Sequence, residues 1–141
     1  MTITQVSVFV ENRPGRLASL LAYLAEHNID MRAYSFAETV DFGILRLLPC
    51  NAEQTAAALR AGGYTCTQTD VLALLVDDSS GATVRAFALL AEAGINVEYS
   101  YAFALQAKNA AIVLLRVSDN TTAAQLLAQA GIAAASTQDL Y

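Results

Sequence analysis

Val6-Ser7-Val8-Phe9-Val10-Glu11-Asn12-Arg13-Pro14-Gly15-Arg16-Leu17 opens on valines that alternate with other residues, then changes period. Alternation at a period of two is strand patterning. Pro14 suits the first turn of a helix, where its missing N–H is not needed. Leu17, Leu20, Leu21 and Leu24 then recur at the spacing of one apolar helix face. The stretch therefore reads strand, tight turn, helix.

The pattern returns about 66 residues later. Ala25-Glu26-His27-Asn28-Ile29-Asp30 matches Ala91-Glu92-Ala93-Gly94-Ile95-Asn96, and Gly15 matches Gly81. Asn28 and Gly94 fall at equivalent helix ends, and both residue types tolerate the left-handed conformation that closes a helix. Internal repetition of this kind means two copies of one module, expected at residues 1–70 and 71–141. In the first copy, strands are expected near Ile29–Ala37, Phe42–Leu48 and Tyr64–Thr69, with a short helix opened by Asn51 and Gln54 in the manner of a capping box. The second copy repeats the order with Val71–Val76, Ala82–Ala93, Ile95–Leu105, Ala111–Val117, Thr121–Ala130 and a closing strand near Ile132–Ser136. Each module is thus βαββαβ, a ferredoxin-like α+β unit with an antiparallel sheet and both helices on one face. Val71–Val76 and Ala110–Leu115 are apolar at both parities, so the sheet face without helices is expected to pack against a second chain, giving a homodimer.

Composition narrows the function. The chain has 141 residues, of which 28 are alanine, 15% are charged and the formal net charge is −5. One lysine and seven scattered arginines do not make the cationic patch that nucleic acid requires. No apolar run approaches the ~20 residues needed to cross a bilayer, so a cytoplasmic protein without a membrane partner is expected. Cys50 and Cys66 are too few for a disulfide framework and read as inert small apolar residues. His27, alone at a helix end, reads as structural. No glycine-rich phosphate loop, metal cluster or nucleophile–base pair is recognisable, so neither an enzyme nor a metal or cofactor is expected. Asp41-Phe42-Gly43 reads as a turn entering a strand.

The loop itself is the candidate site. A strand running into a helix start leaves backbone N–H groups unpaired, Gly15 lets a ligand approach the backbone, and the helix dipole favours an anion there. Asn12 is a group for an ammonium, with Arg13 or Arg16 adding charge. Equally, Asn12 caps the helix while Pro14 and Gly15 shape the turn and the arginines stay solvated.

Glu11-Asn12-Arg13-Pro14-Gly15-Arg16-Leu17, with Leu20, Leu24 and Asn28-Ile29-Asp30, resembles the signature of the ACT domain family, small modules that bind amino acids beside metabolic enzymes and regulators. Ser35–Arg46 and Gly94–Phe103 extend the resemblance to the free-standing tandem ACT proteins of bacteria. It implies modules paired side by side into one eight-stranded antiparallel sheet. It further implies an amino-acid ligand between Asn12, Arg13, Pro14, Gly15, Arg16 and Leu17 and, facing them, Asn96, Val97, Glu98 and Tyr99. The amides of Gly15, Arg16 and Leu17 would take the carboxylate, and Asn12 or Glu98 the ammonium. In the second copy the loop reads Asp77-Asp78-Ser79-Ser80-Gly81-Ala82-Thr83, departing from the Pro-Gly-x-Leu pattern. A weaker second site of Asp78, Ser80, Gly81, Asp30 and Met31 is expected there, because carboxylates stand where an anion would arrive. The implied function is an amino-acid sensor acting on a separate enzyme or regulator; the alternative is a ligand-free dimerising scaffold. RNA-recognition motifs share the βαββαβ order but stack bases on exposed aromatics, whereas Ile44-Leu45 and Ile112-Val113-Leu114 are aliphatic.

Overall fold

The alternating valines form strand β1 (Thr2–Glu11) in the computed structural model, which describes residues 2–77, 80–105 and 108–140. The remaining elements are α1 (Arg16–Glu26), β2 (Met31–Glu38), β3 (Phe42–Pro49), α2 (Ala52–Ala61), β4 (Cys66–Asp77), α3 (Ser80–Glu92), β5 (Val97–Leu105), β6 (Ala110–Val117), α4 (Asn120–Gln129) and a single-turn α5 (Thr137–Leu140). The chain divides into two compact units, Thr4–Thr69 and, with Met1–Ile3, Asp70–Tyr141.

In the first unit β3 lies between β2 and β1, antiparallel to both, with Leu45 opposite Phe36 on one side and Val8 on the other. The Phe9 N–H donates to the Thr65 carbonyl at 2.9 Å, which starts β4 along the free side of β1. Val6, Val8 and Val10 share one face with Leu45 and Leu47, and Leu20 and Leu24 of α1 with Ala56 and Leu59 of α2 close over them. Burying a leucine side chain of this kind contributes ~1.5–3 kcal/mol, so the stripe anticipated at Leu20 and Leu24 is what fastens α1. Asn51 caps α2, its side-chain oxygen accepting the Gln54 N–H at 2.9 Å.

The second unit repeats this plan. β6 lies between β5 and β4, and Leu72, Leu74 and Val76 join Val113, Leu115 and Val117 beneath Ala86 and Leu90 of α3 and Ala123 and Leu127 of α4. Asn28 and Gly94 both take positive φ, 54° and 70°, as their shared helix-end position required.

One expectation is corrected. Among the described residues there are six strands, not eight. The strands expected at Tyr64–Thr69 and Val71–Val76 are one continuous strand, β4, because Cys66-Thr67-Gln68-Thr69-Asp70-Val71 contains no glycine or proline to break it and its threonines favour extended backbone. The closing strand at Ile132–Ser136 shrinks to a bridge between Leu74 and Ala134, with the Ala135 N–H donating to the Ala73 carbonyl at 2.8 Å. A run of three alanines is a weak strand former, and Ser136 with Asp139 then turns the chain into α5.

The helix-free face of β4 and β6 is covered in part by the chain itself. Val71, Ala73, Ile112 and Leu114, which gave β4 and β6 their second apolar parity, are buried within the single chain. So are Ala135 and Leu140, near and within α5. The second apolar parity of β4 and β6 is therefore accounted for by burial within one chain.

Candidate functional site

The Asn12–Leu17 loop is held at several points. The Asn12 N–H donates to the Asp41 carbonyl at 3.1 Å and its side-chain Nδ2 to the Thr39 carbonyl at 3.2 Å. Asn12 is thus no helix cap; it ties the loop to the β2–β3 turn and leaves its Oδ1 as an acceptor. The helix begins at Arg16, two residues after Pro14, and its N-cap is Gly15, with φ 83°, ψ −13° and no side-chain cap. The Ser19 N–H and hydroxyl both donate to the Gly15 carbonyl, each at 2.9 Å.

The amides divide into two sets. The Arg16 N–H donates to the Arg13 carbonyl at 3.2 Å, so it is not one of the carboxylate donors expected. The amides of Gly15, Leu17 and Ala18 have no backbone acceptor among the described residues, leaving the open donors that a helix start presents to an anion. Leu17 packs its side chain against the first unit's core, which fixes its amide's position. Both arginines turn to Glu11: Arg13 Nε lies 3.2 Å and Arg16 Nε 3.9 Å from its Oε2. The pairs are exposed, where such contacts are worth ~1 kcal/mol or less, so a ligand anion can draw Arg16 away at little cost.

The other named residues lie in the second unit, at the start of β5. Asn96 is anchored by its backbone, its N–H donating to the Ser118 Oγ at 3.2 Å and its carbonyl accepting the Ser118 N–H at 3.0 Å. Val97 packs on the core beneath α3 and α4. A register shift between Val97 and Tyr99 puts Glu98 in an irregular position, with its Oε2 3.3 Å from Arg116 Nε. Asn96 and Val97 also line a groove of about 530 Å³ with Phe87 and Ala91 of α3. The loop residues and the Asn96–Tyr99 set therefore belong to different units.

Of the weaker second set, Asp78 lies outside the described residues. Ser80 opens α3, and Gly81 follows it in that helix's first turn, exposed. Asp30 is exposed and borders a hollow of about 200 Å³ with Cys50 and Asn51, while Met31 packs on the first unit's core. Cys50, expected to be inert and apolar, is exposed; Cys66 is buried. His27 stacks on Tyr23 with ring centroids 4.0 Å apart. Sequence reasoning passed over Tyr23, whose hydroxyl donates to the Ala58 carbonyl at 2.7 Å and joins α1 to α2. No three residues of metal-binding type come together among the described residues, and no described helix is long and apolar enough to cross a membrane.

Two βαββαβ units, with Gly15 at the N-cap of α1 and Gly81 in the first turn of α3, are matched over residues 1–140 by the family model of the ACT domain pair. The chain belongs to this family. Among solved structures, this ACT pair is similar to protein BT0572 from Bacteroides thetaiotaomicron, with 32% identity, a TM-score of 0.90, and coverage of 100% of this chain and 96% of that one. The ligand-free regulatory subunit of aspartate kinase from Thermus thermophilus shares the fold at 18% identity and a TM-score of 0.60, over 90% of this chain and 91% of that one. So does a C-terminal regulatory domain of aspartate kinase from Porphyromonas gingivalis w83, at 16% identity and a TM-score of 0.56, over 92% and 93%. No curated protein matches the sequence.

Proposed function

We propose that this ACT pair is a non-catalytic regulatory protein that binds a free amino acid at the Asn12–Leu17 loop and conveys its ligand state to a separate metabolic enzyme or regulator. The observation that carries the reading is the left-handed Gly15 at the head of α1. It turns the chain so that the amides of Gly15, Leu17 and Ala18 stay open in the same loop that carries Asn12, whose Oδ1 is an acceptor. That combination suits a carboxylate and an ammonium on one carbon. Asn96, Val97, Glu98 and Tyr99 form the second half of the proposed site, supplied by a module paired with the loop, and the working form is a homodimer in the cytoplasm. Family membership supports the regulatory role, and the kinship of fold with aspartate kinase regulatory subunits supports a separate enzyme as partner.

A thermal-shift screen against the twenty amino acids tests this. A ligand at a hundred times its dissociation constant stabilises by ~2.7 kcal/mol, and Asn12→Ala or Gly15→Ala removes the shift if the loop is the site. The dimerising-scaffold reading draws on Glu11, which already engages both loop arginines. It is favoured if no amino acid moves the melting point while light scattering shows a dimer.

A further inference from the structure

A cleft of about 390 Å³ opens at the end of the first unit where β1 finishes, α1 begins and α2 gives way to β4. Phe9, Phe42 and Tyr64 supply aromatic surface, Glu11 and Arg16 one charge of each sign, and Gly63 bare backbone. Every lining residue belongs to the first unit.

The apolar side of this cleft is not closed by the chain itself. Phe9 lies opposite Ile44 and Phe42 opposite Glu11, so the two rings stand on one face of the sheet as diagonal neighbours on adjacent strands. They are 41% and 52% exposed, among the few large apolar side chains the chain leaves in water. A Cβ added to Gly63 would meet nothing within 4 Å, so the space above that residue is open too. The polar side is only loosely satisfied. At 3.9 Å, Arg16 Nε is too far from Glu11 Oε2 to hydrogen-bond, and Glu11 offers that same oxygen to Arg13. A guanidinium fork and a carboxylate therefore border a hollow that Phe9, Phe42 and Tyr64 help to line, and its size lies at the lower end of the range typical of small-molecule sites.

We infer that this cleft receives the side chain of the ligand, and that the ligand is an α-amino acid with an apolar side chain. Its carboxylate, held by the open amides at the head of α1, pairs also with Arg16, its ammonium lies between Asn12 and Glu11, and its side chain covers Phe9 and Phe42. The inference rests on the amino-acid reading above and specifies it: side-chain selection occurs within one unit, at residues outside the Asn12–Leu17 and Asn96–Tyr99 sets.

Calorimetry on the full chain tests it with L-leucine, L-methionine and L-phenylalanine against L-serine, L-threonine and L-aspartate. The expected result is that one or more of the apolar three binds at least tenfold more tightly than the polar three. Phe42→Ala, and independently Thr65→Trp, which fills the cleft from an exposed lining position, each weaken that binding tenfold or more. The amide of the bound amino acid, without a carboxylate, and its deaminated acid, without an ammonium, each bind at least tenfold less tightly. Melting curves of the two variants within a few degrees of the parent show that the fold is kept. If a polar amino acid binds best, or binding is lost in Asn12→Ala but unchanged in both cleft variants, the inference is overturned and the regulatory reading stands. If none of the six, nor any other amino acid, binds the parent chain, both fall.

Discussion

Gly15 and Gly62 show how differently two glycines resist the same change. An alanine at Gly15 has open space around its Cβ but must hold φ near 83°, which costs an ordinary residue ~1 kcal/mol. At Gly62 the backbone is ordinary, with φ −82°, but a Cβ would stand 2.5 Å from the Tyr23 ring. Tyr23 then has to swing out and give up its bond to the Ala58 carbonyl, so Gly62→Ala is expected to lose ~2 kcal/mol in urea unfolding against ~1 for Gly15→Ala. If Tyr23→Phe is made first, only part of the extra penalty at Gly62 should persist, because ring carbons are struck as well as the hydroxyl and the bond to Ala58 is already gone. Gly15 was legible as a turn from Pro14 beside it and the leucine stripe after it. The Tyr23–Gly62 contact was not, because no local pattern links residues on two different helices. The role of Asn12 was half legible: its side chain could be placed at the loop, but its partner, the Thr39 carbonyl, arrives from a turn 27 residues on.

Among the elements, α5 was missed altogether, because four residues with no apolar period give no helix signal. It is held by the Asp139 carboxylate, which accepts from Lys108 Nζ and from the N–H and hydroxyl of Ser136. Lys108, then the Ser136 amide and hydroxyl, keep the Asp139 carboxyl well below its usual value of 3.8. A depressed folded-state pKa gives stability that is present above 3.8 and lost as pH falls below it. The melting-temperature gap between the parent and Asp139→Asn is therefore expected to be widest at neutral pH and to narrow steadily once pH drops under 3.8. A gap that stays constant with pH would assign the effect to packing instead. α2 and α4 were legible to within a residue, whereas α1 and α3 were legible in their stripes and C-terminal ends but not at their starts, which fall at Arg16 and Ser80. Leu90→Ala, removing a fully buried α3 side chain, is expected to cost 2–5 kcal/mol. The strand count was only half legible: the lack of a turn residue between Cys66 and Val71 could be read, but the loss of the closing strand to a single bridge at Ala134 could not.

For the molecule as a whole, the decisive feature is that β4 runs from Cys66 in the first unit to Asp77 in the second with no linker. Broad-specificity limited proteolysis is therefore expected to leave residues 66–77 uncut, and not to release two module-sized fragments. The same strand sets a constraint on length. Cys66 faces the first unit's core and Leu72 the second's, six residues apart on a strand whose side chains alternate. One codon added or removed between them would send one core's strand residues to the wrong side unless a bulge absorbed it. In the history of a duplicated gene, the seam between the copies is usually where length drifts most freely. Here the seam became the stretch where the reading of every later side chain depends on the count being even.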